Sequence, residues 1–284
     1  MSAAEKLPTG QSNFFSELVA KANAVPALHA GEGITIDDVQ SGQTYYRKSD
    51  MQDPLSDLSY YIVKTDGGAL GFSYYNGTPI QGKQILDVVN RSTLEILKYP
   101  SELHFPLAVS LLDATYGIYN RLHGRAPQHK FTHEGTYNEK ADFRSKLVTE
   151  QVKSGNKVLL VGLVTQFVRD MIAKDIEVKV SDLSPELEGT EVYGVPITNK
   201  GNAWTLDALA ECDDAIVTGA CLATDTVDSI FETAEASSTK LHFYIETGNN
   251  FGPQLIDRGA ASVVAEKYPF YDFPGPTRYE VFTK

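Results

Sequence analysis

Two cysteines, Cys212 and Cys221, are all the thiol that this chain of 284 residues carries. Two cannot build a disulfide framework, and no Cys-x-x-Cys pair offers a redox or zinc motif, so a reducing compartment is expected. Both flank an expected strand and read as packing residues. Basic residues are also scarce: 25 Lys and Arg against 37 Asp and Glu leave a net charge of −12. Nucleic acid and anionic membrane both need basic patches, and no basic cluster of five or more appears, so neither is expected as the main partner. No apolar run approaches the roughly 18 residues of a membrane helix. Met1 to Gly10 is polar and lacks the apolar stretch of a signal peptide, which leaves the cytoplasm as the expected location. Also missing are a Gly-x-Ser-x-Gly elbow, a His-Glu-x-x-His pair and a Walker loop. No catalytic nucleophile or general base is identified.

What is present is the composition of a globular protein, 42% hydrophobic and 22% charged. The length admits one large domain or two ordinary ones. Asn156 to Leu163 is the most informative stretch: a short aliphatic run, Val158-Leu159-Leu160-Val161, ends in Gly162 and precedes a helical pattern. Twenty residues past Gly162, Asp182 closes a second run beginning at Ile176. Strand, glycine turn, helix and a strand ending in an acidic residue form the front half of a Rossmann-like unit. Such a unit aims backbone N–H groups at an anion and offers a carboxylate to a diol. Val164 and Phe167 stand near where the later glycines of the dinucleotide fingerprint would fall, which disfavours a nicotinamide or flavin oxidoreductase.

The chain divides at a change of pattern. Asn13 to Ala24 and Leu107 to Leu122 have helical spacing, and Ile85 to Leu97 is expected as a further helix. Ile34 to Tyr46 reads as a strand, and Tyr60 to Val63 and Leu70 to Tyr75 as a hairpin about Asp66-Gly67-Gly68. An α+β domain over 1–138 is therefore expected, ending in a linker from Arg125 to Asn138. From 139 to 284 helices alternate with buried strands, the pattern of a parallel sheet with helices on both faces. Its helices are expected at Asp142 to Val152, Gln166 to Lys174, Thr205 to Ala210 and Thr226 to Ala234. Strands fall at Asp214 to Val217 and Leu241 to Ile245, with Tyr279 to Phe282 as an edge strand. The fold class is α/β, a Rossmann-like sheet preceded by a smaller α+β domain.

In a parallel sheet the carboxyl ends of the strands share one edge, where ligands bind. Those ends carry Gly162-Leu163, Asp182-Leu183, Thr218-Gly219 and Thr247-Gly248-Asn249-Asn250. Glycine admits close backbone approach, while Thr218, Thr247, Asn249 and Asn250 supply neutral donors and acceptors for a polar ligand. From the first domain Tyr75, Asn76, Tyr116 and Asn120 are candidates to wall the cleft, their rings suited to an adenine or a sulfonium. His129 and His133 are nominal metal ligands four residues apart, but Pro127 and Gly135 oppose a helix there and a solvated linker is the better reading.

The runs Lys157 to Gly162, Asp182-Leu183-Ser184-Pro185-Glu186, Glu211 to Ala220 and Gly252-Pro253-Gln254-Leu255 with Asp257-Arg258-Gly259 resemble the putative heavy-metal chelation family. The Asp66-Gly67-Gly68 hairpin and Ala114 to Asn120 fit the same pattern. That resemblance implies an enolase N-terminal-like domain joined to a Rossmann-like one, with a ligand cleft between them over the sheet's carboxyl edge. Relatives carry a Gly-Pro-Gly/Ser-type turn where this chain has Glu246 to Asn250, and often Glu where Asp182 stands.

Three functions are compatible with these residues. The first is a protein of small amino-acid or chelator metabolism using an adenosyl-type ligand such as S-adenosylmethionine, with transfer or cyclisation of its aminocarboxypropyl group. The second is a non-catalytic binder of a heavy metal or metal chelate, with a transition metal as its cofactor. The third is the oxidoreductase already disfavoured. A small-molecule ligand is the expected partner, with a second copy of the chain admitted as a homodimeric one.

Overall fold

The computed structural model describes residues 13–46, 56–76, 82, 85, 87–99 and 102–284. Strands β1 (Ile36–Tyr46), β2 (Ser56–Thr65) and β3 (Leu70–Tyr75) form an antiparallel sheet in that order. The expected hairpin joins β2 to β3, with Thr65 N–H donating to Ala69 O across it. Helix α1 (Asn13–Asn23) and the long helix α2 (Phe105–Leu122) supply the core of this part. Gly71 lets α2 lie against β3, because a Cβ there would stand 1.9 Å from Ser110 O.

The second sheet has nine strands: β4 (His129–His133), β5 (Lys157–Val161), β6 (Glu177–Ser181), β7 (Glu191–Val192), β8 (Val195–Thr198), β9 (Asp214–Thr218), β10 (Lys240–Ile245), β11 (Ser262–Lys267) and β12 (Thr277–Thr283). Their spatial order is β4-β12-β11-β10-β9-β5-β6-β8-β7. The run from β11 to β8 is parallel, and β12, β4 and β7 are antiparallel additions. The middle residues of β5 and β9 are buried on both faces, which is why their sequences are aliphatic throughout. Helices α3 (Tyr137–Thr149), α4 (Thr165–Ile172), α5 (Gly201–Ala210), α6 (Val227–Ser237) and α7 (Gly252–Arg258) connect or cover the strands. From β5 the chain winds outward through β6 and β8, then returns to β9 and winds the other way. The strand order therefore reverses between β5 and β9, a crevice-forming switch point.

Four expectations are corrected. The span 85–97 is not one helix: residues 87–90 are a turn between Ile85, which is helical, and the short helix Thr93–Ile96, while residue 86 lies outside the described residues. Asn90 N–H donates to Ile36 O and Ile36 N–H to Arg91 O, so pairing with the start of β1 outweighs helical spacing. The linker expected at 125–138 contains β4, which pairs with β12 and so joins 129–133 to the large sheet. Helix α3 then starts at Tyr137 rather than Asp142, where Thr136 and Glu139 form a reciprocal capping box. Finally, β12 is not an edge strand, since β11 and β4 flank it.

The two sheets meet along β3, whose outward backbone groups would otherwise be an open edge. Phe72 N–H donates to Asp113 Oδ2 at 2.9 Å, Tyr74 N–H to Thr247 Oγ1 at 2.9 Å, and Phe72 O accepts Gly248 N–H at 3.0 Å. The loop after β10 thus docks on the small sheet almost as a further strand would. No helix among the described residues is long and apolar enough to cross a membrane.

Candidate functional site

A cavity of about 280 Å³ opens over the carboxyl ends of β5, β6, β9 and β10. Leu58, Tyr74 and Asn76 of the small sheet close its far side. Gly162 sits at the switch point with φ +86°, and a Cβ on it would stand 2.1 Å from Thr218 Oγ1. Only glycine accepts both the left-handed backbone and that approach.

Asp182 lies beside this turn and lines the cavity. Its Oδ2 accepts Leu163 N–H at 2.7 Å and its Oδ1 accepts Ser184 N–H at 2.8 Å. Each oxygen retains a second lone pair able to accept a further donor. The expectation that the turn offers free N–H groups to an anion needs revision, since Leu163 N–H is already bound to a carboxylate. A pyrophosphate there would face that negative charge.

Of the strand-end candidates, Gly162, Leu163, Asp182, Leu183, Thr218, Gly219 and Thr247 all line this one cavity. Asn249 and Asn250 do not. Asn249 is buried, with Nδ2 donating to Glu246 O. Asn250 donates to Leu70 O and Asp113 O and accepts from Lys267, clamping the two sheets together. Among the cleft candidates Asn76 reaches the cavity. Tyr75 points to the opposite face of β3, as strand alternation requires, and stacks on Tyr61 at 4.8 Å. Tyr116 is buried against Phe251 and donates to Leu18 O. Asn120 donates to Asn250 O and accepts from Gln254, again outside the cavity.

His129 and His133 lie on β4, at the far edge of the large sheet. The His133 ring stacks on Phe143 with centroids 4.5 Å apart and planes within 1°. Among the described residues no group of three or more His, Cys, Asp or Glu is placed to hold a metal. Cys212 and Cys221 are buried, as packing residues should be. Asp214, His242 and Ser262 are hydrogen-bonded in a row, His242 Nδ1 to Ser262 Oγ at 2.8 Å and Nε2 to Asp214 Oδ1 at 3.1 Å. This is no hydrolytic triad: all three are buried near the amino ends of β9, β10 and β11, at the edge opposite the cavity. Burial lowers the His242 pKa.

Sequence reasoning missed the charged end of the cavity. Arg144 of α3 is 3% exposed, and its guanidinium lies 3.6 Å from the centroid of the Tyr271 ring. Its Nη1 is 3.3 Å from the Tyr244 hydroxyl and 3.5 Å from Glu246 Oε1, and its Nη2 donates to Gln166. The Tyr244 hydroxyl contacts both Glu246 Oε1 and, at 2.6 Å, Glu266 Oε2. Glu266 is fully buried, its Oε1 accepting Tyr271 N–H and the Thr277 hydroxyl. Burial first raises both glutamates; for Glu246 the Glu266 charge adds to it, while Arg144 opposes. Signals existed: Arg144 shares a buried stripe with Ala141, Ser145 and Val148, and Glu266 directly follows the apolar run Val263-Val264-Ala265 in a buried strand.

Residues 146–241 match the family DUF364, described as "Putative heavy-metal chelation". A DUF364-family protein of unknown function from Pyrococcus horikoshii superposes with TM-score 0.59 at 15% identity, over 95% of this chain and 100% of that one. Another from Desulfitobacterium hafniense DCB-2 gives TM-score 0.58 at 12% identity, over 89% of this chain and 86% of its own. These likenesses carry the fold. No curated protein matches the chain.

Proposed function

We infer that this chain, whose residues 146–241 match the DUF364 family, binds a small organic ligand in the cavity over the β5–β9 switch point. The chelation of the family's description then belongs to the ligand, a chelator or its metal complex, and not to protein side chains. The observation that carries this reading is the cavity: about 280 Å³, walled by strand ends on one side and by Tyr74 and Asn76 on the other. That is close to the lower end of the range for small-molecule sites, roughly 300 Å³ upward.

The donor set does not fit a bare heavy-metal ion. Soft metals select thiolates, and the Cys221 thiol at the cavity wall is held protonated by burial. The remaining anionic donors, the Asp182 and Glu246 carboxylates, each already accept hydrogen bonds and are hard oxygens rather than the thiolates that a soft metal selects. Among the described residues no imidazole lines the cavity.

Calorimetric titration with nitrilotriacetate, with its nickel complex and with nickel chloride tests the reading. The chelator or its complex should bind with unit stoichiometry and the free ion should not. Stoichiometric retention of the free ion, lost in His129→Ala and His133→Ala, would assign metal binding to β4 instead.

A second reading is favoured by the pairing of Asp182 with the Gly162 turn at one end and aromatic rings at the other. An adenosyl-type ligand such as S-adenosylmethionine would put its ribose on Asp182 and its sulfonium among Tyr74, Tyr244 and Tyr271. Transfer or cyclisation of the aminocarboxypropyl group would follow from holding a reactive conformer. Absence of binding at millimolar S-adenosylmethionine removes this reading.

A further inference from the structure

The charged end of the cavity has a hydrogen-bond count that does not close without an extra proton. The Tyr244 hydroxyl owns one hydrogen, yet it lies in hydrogen-bond contact with two carboxylates, Glu246 and Glu266. It donates to one of them only. The other contact needs a carboxyl O–H that donates to the phenol oxygen. The pair therefore carries one proton between them, in a chain of carboxyl, phenol and carboxylate. Charge agrees: one remaining carboxylate of the pair balances the Arg144 guanidinium, so the buried cluster of Arg144, Tyr244, Glu246 and Glu266 is neutral, with the half-buried Asp272 lying outside it.

Access to this chain is one-sided. The Glu266 side chain is fully buried, whereas Glu246 is 16% exposed and lines the cavity. Glu246 Oε1 is used by Tyr244 and Arg144, while Oε2 has no hydrogen-bond partner among the described residues. Arg144 Nε is likewise buried without a partner. The titratable and charged groups around Glu246 are Arg144 from α3, Tyr244 from β10, Glu266 from β11, Tyr271 and Asp272 after it, and Tyr279 from β12. Arg144 is the one cation among them.

We propose that this chain surrenders its shared proton through Glu246 in exchange for a monocationic group of the ligand, an ammonium or a sulfonium. The balance is simple. The carboxyl O–H bond of the pair breaks, its proton leaves to solvent, and the ligand cation takes its place against Glu246 Oε2. Two carboxylates then face two cations, and the buried cluster is neutral before and after. The rings of Tyr244 and Tyr271 at the same end give the cation a second favourable contact. Burial raising both glutamates is consistent with a proton retained at neutral pH. The inference rests on the reading that the cavity binds an organic ligand, and it names the ligand group that meets this end.

The test is carbon-13 NMR of the full chain labelled at the glutamate carboxyl carbon, with Glu246→Gln and Glu266→Gln assigning the two signals. In the free protein the pair should hold one proton through neutral pH. Propylammonium, the minimal cation, should lower the midpoint at which that proton leaves by about one pH unit at ten times its Kd. Glu246→Gln should abolish the response, and propionate should not reproduce it. A pair fully ionised at pH 7, or a midpoint that propylammonium leaves unchanged or raises, overturns the proposal. If nickel nitrilotriacetate or S-adenosylmethionine still binds in that case, only the proton exchange falls. If neither binds, the ligand reading falls with it.

Discussion

Asp113 Oδ1 accepts the backbone N–H of Asn250 at 2.7 Å, which fastens helix α2 to the loop after β10. Its other oxygen takes Phe72 N–H from β3, so one buried carboxylate binds three elements. Burial pushes the Asp113 carboxyl up to about 7, against the lowering effect of these bonds and of Lys267. A folded-state pKa above the unfolded one means the folded protein holds the proton longer. Stability should therefore be greatest below about pH 4 for this group and decline as pH rises toward 7, by on the order of 4 kcal/mol. Asp113→Asn should flatten that slope, yet cost about 1–3 kcal/mol because its single oxygen cannot serve both N–H groups. Urea unfolding of both proteins across this pH range checks the slope and the offset.

Gly162 and Thr218 meet at the carboxyl ends of the paired strands β5 and β9. Gly162→Ala should destabilise by about 2 kcal/mol or more, combining left-handed strain with the clash against Thr218 Oγ1. Adding Thr218→Gly should relieve the clash and leave the backbone strain, so the pair should recover only part of the loss. Full additivity in thermal denaturation would mean that the two residues do not meet.

Asp182 distinguishes the two ligand readings. Asp182→Asn leaves either Leu163 N–H or Ser184 N–H without its acceptor, a cost of about 1 kcal/mol at this half-buried position. It should weaken S-adenosylmethionine about tenfold, if the carboxylate holds a ribose, and leave nitrilotriacetate affinity nearly unchanged. Parallel calorimetry of the two ligands on both proteins gives the answer.

Thr247 joins the cavity wall to the small sheet. Thr247→Val removes the acceptor of Tyr74 N–H and should cost about 1–3 kcal/mol in unfolding experiments. Ligand affinity should fall as well, because Tyr74 and Asn76 are held over the cavity by this contact and by Gly248.

Much of this arrangement was legible in the sequence. The aliphatic runs at Val158 to Val161 and Asp214 to Val217 announce strands buried on both faces, and Gly162 with Asp182 announces the turn that they flank. Those residues lie together because parallel strands share an edge, a relation of topology that spacing alone supplies. The histidines of β4 hid a strand, since His129-Lys130-Phe131-Thr132-His133 alternates without an aliphatic residue. Asn249 and Asn250 had the chemistry of ligand contacts, but the open edge of β3 and the buried Asp113 claimed that loop. Arg144, Glu246 and Glu266 come from three separate elements, and no local pattern brings them to one point.

The most direct test of the account is a crystal structure of the protein soaked with nickel nitrilotriacetate and, separately, with S-adenosylmethionine. Electron density for at least one ligand should fill the space between the Gly162 turn and Glu246, touching Tyr74 or Asn76 of the small sheet. A ligand bound on β4 or elsewhere with that space left to solvent would contradict it.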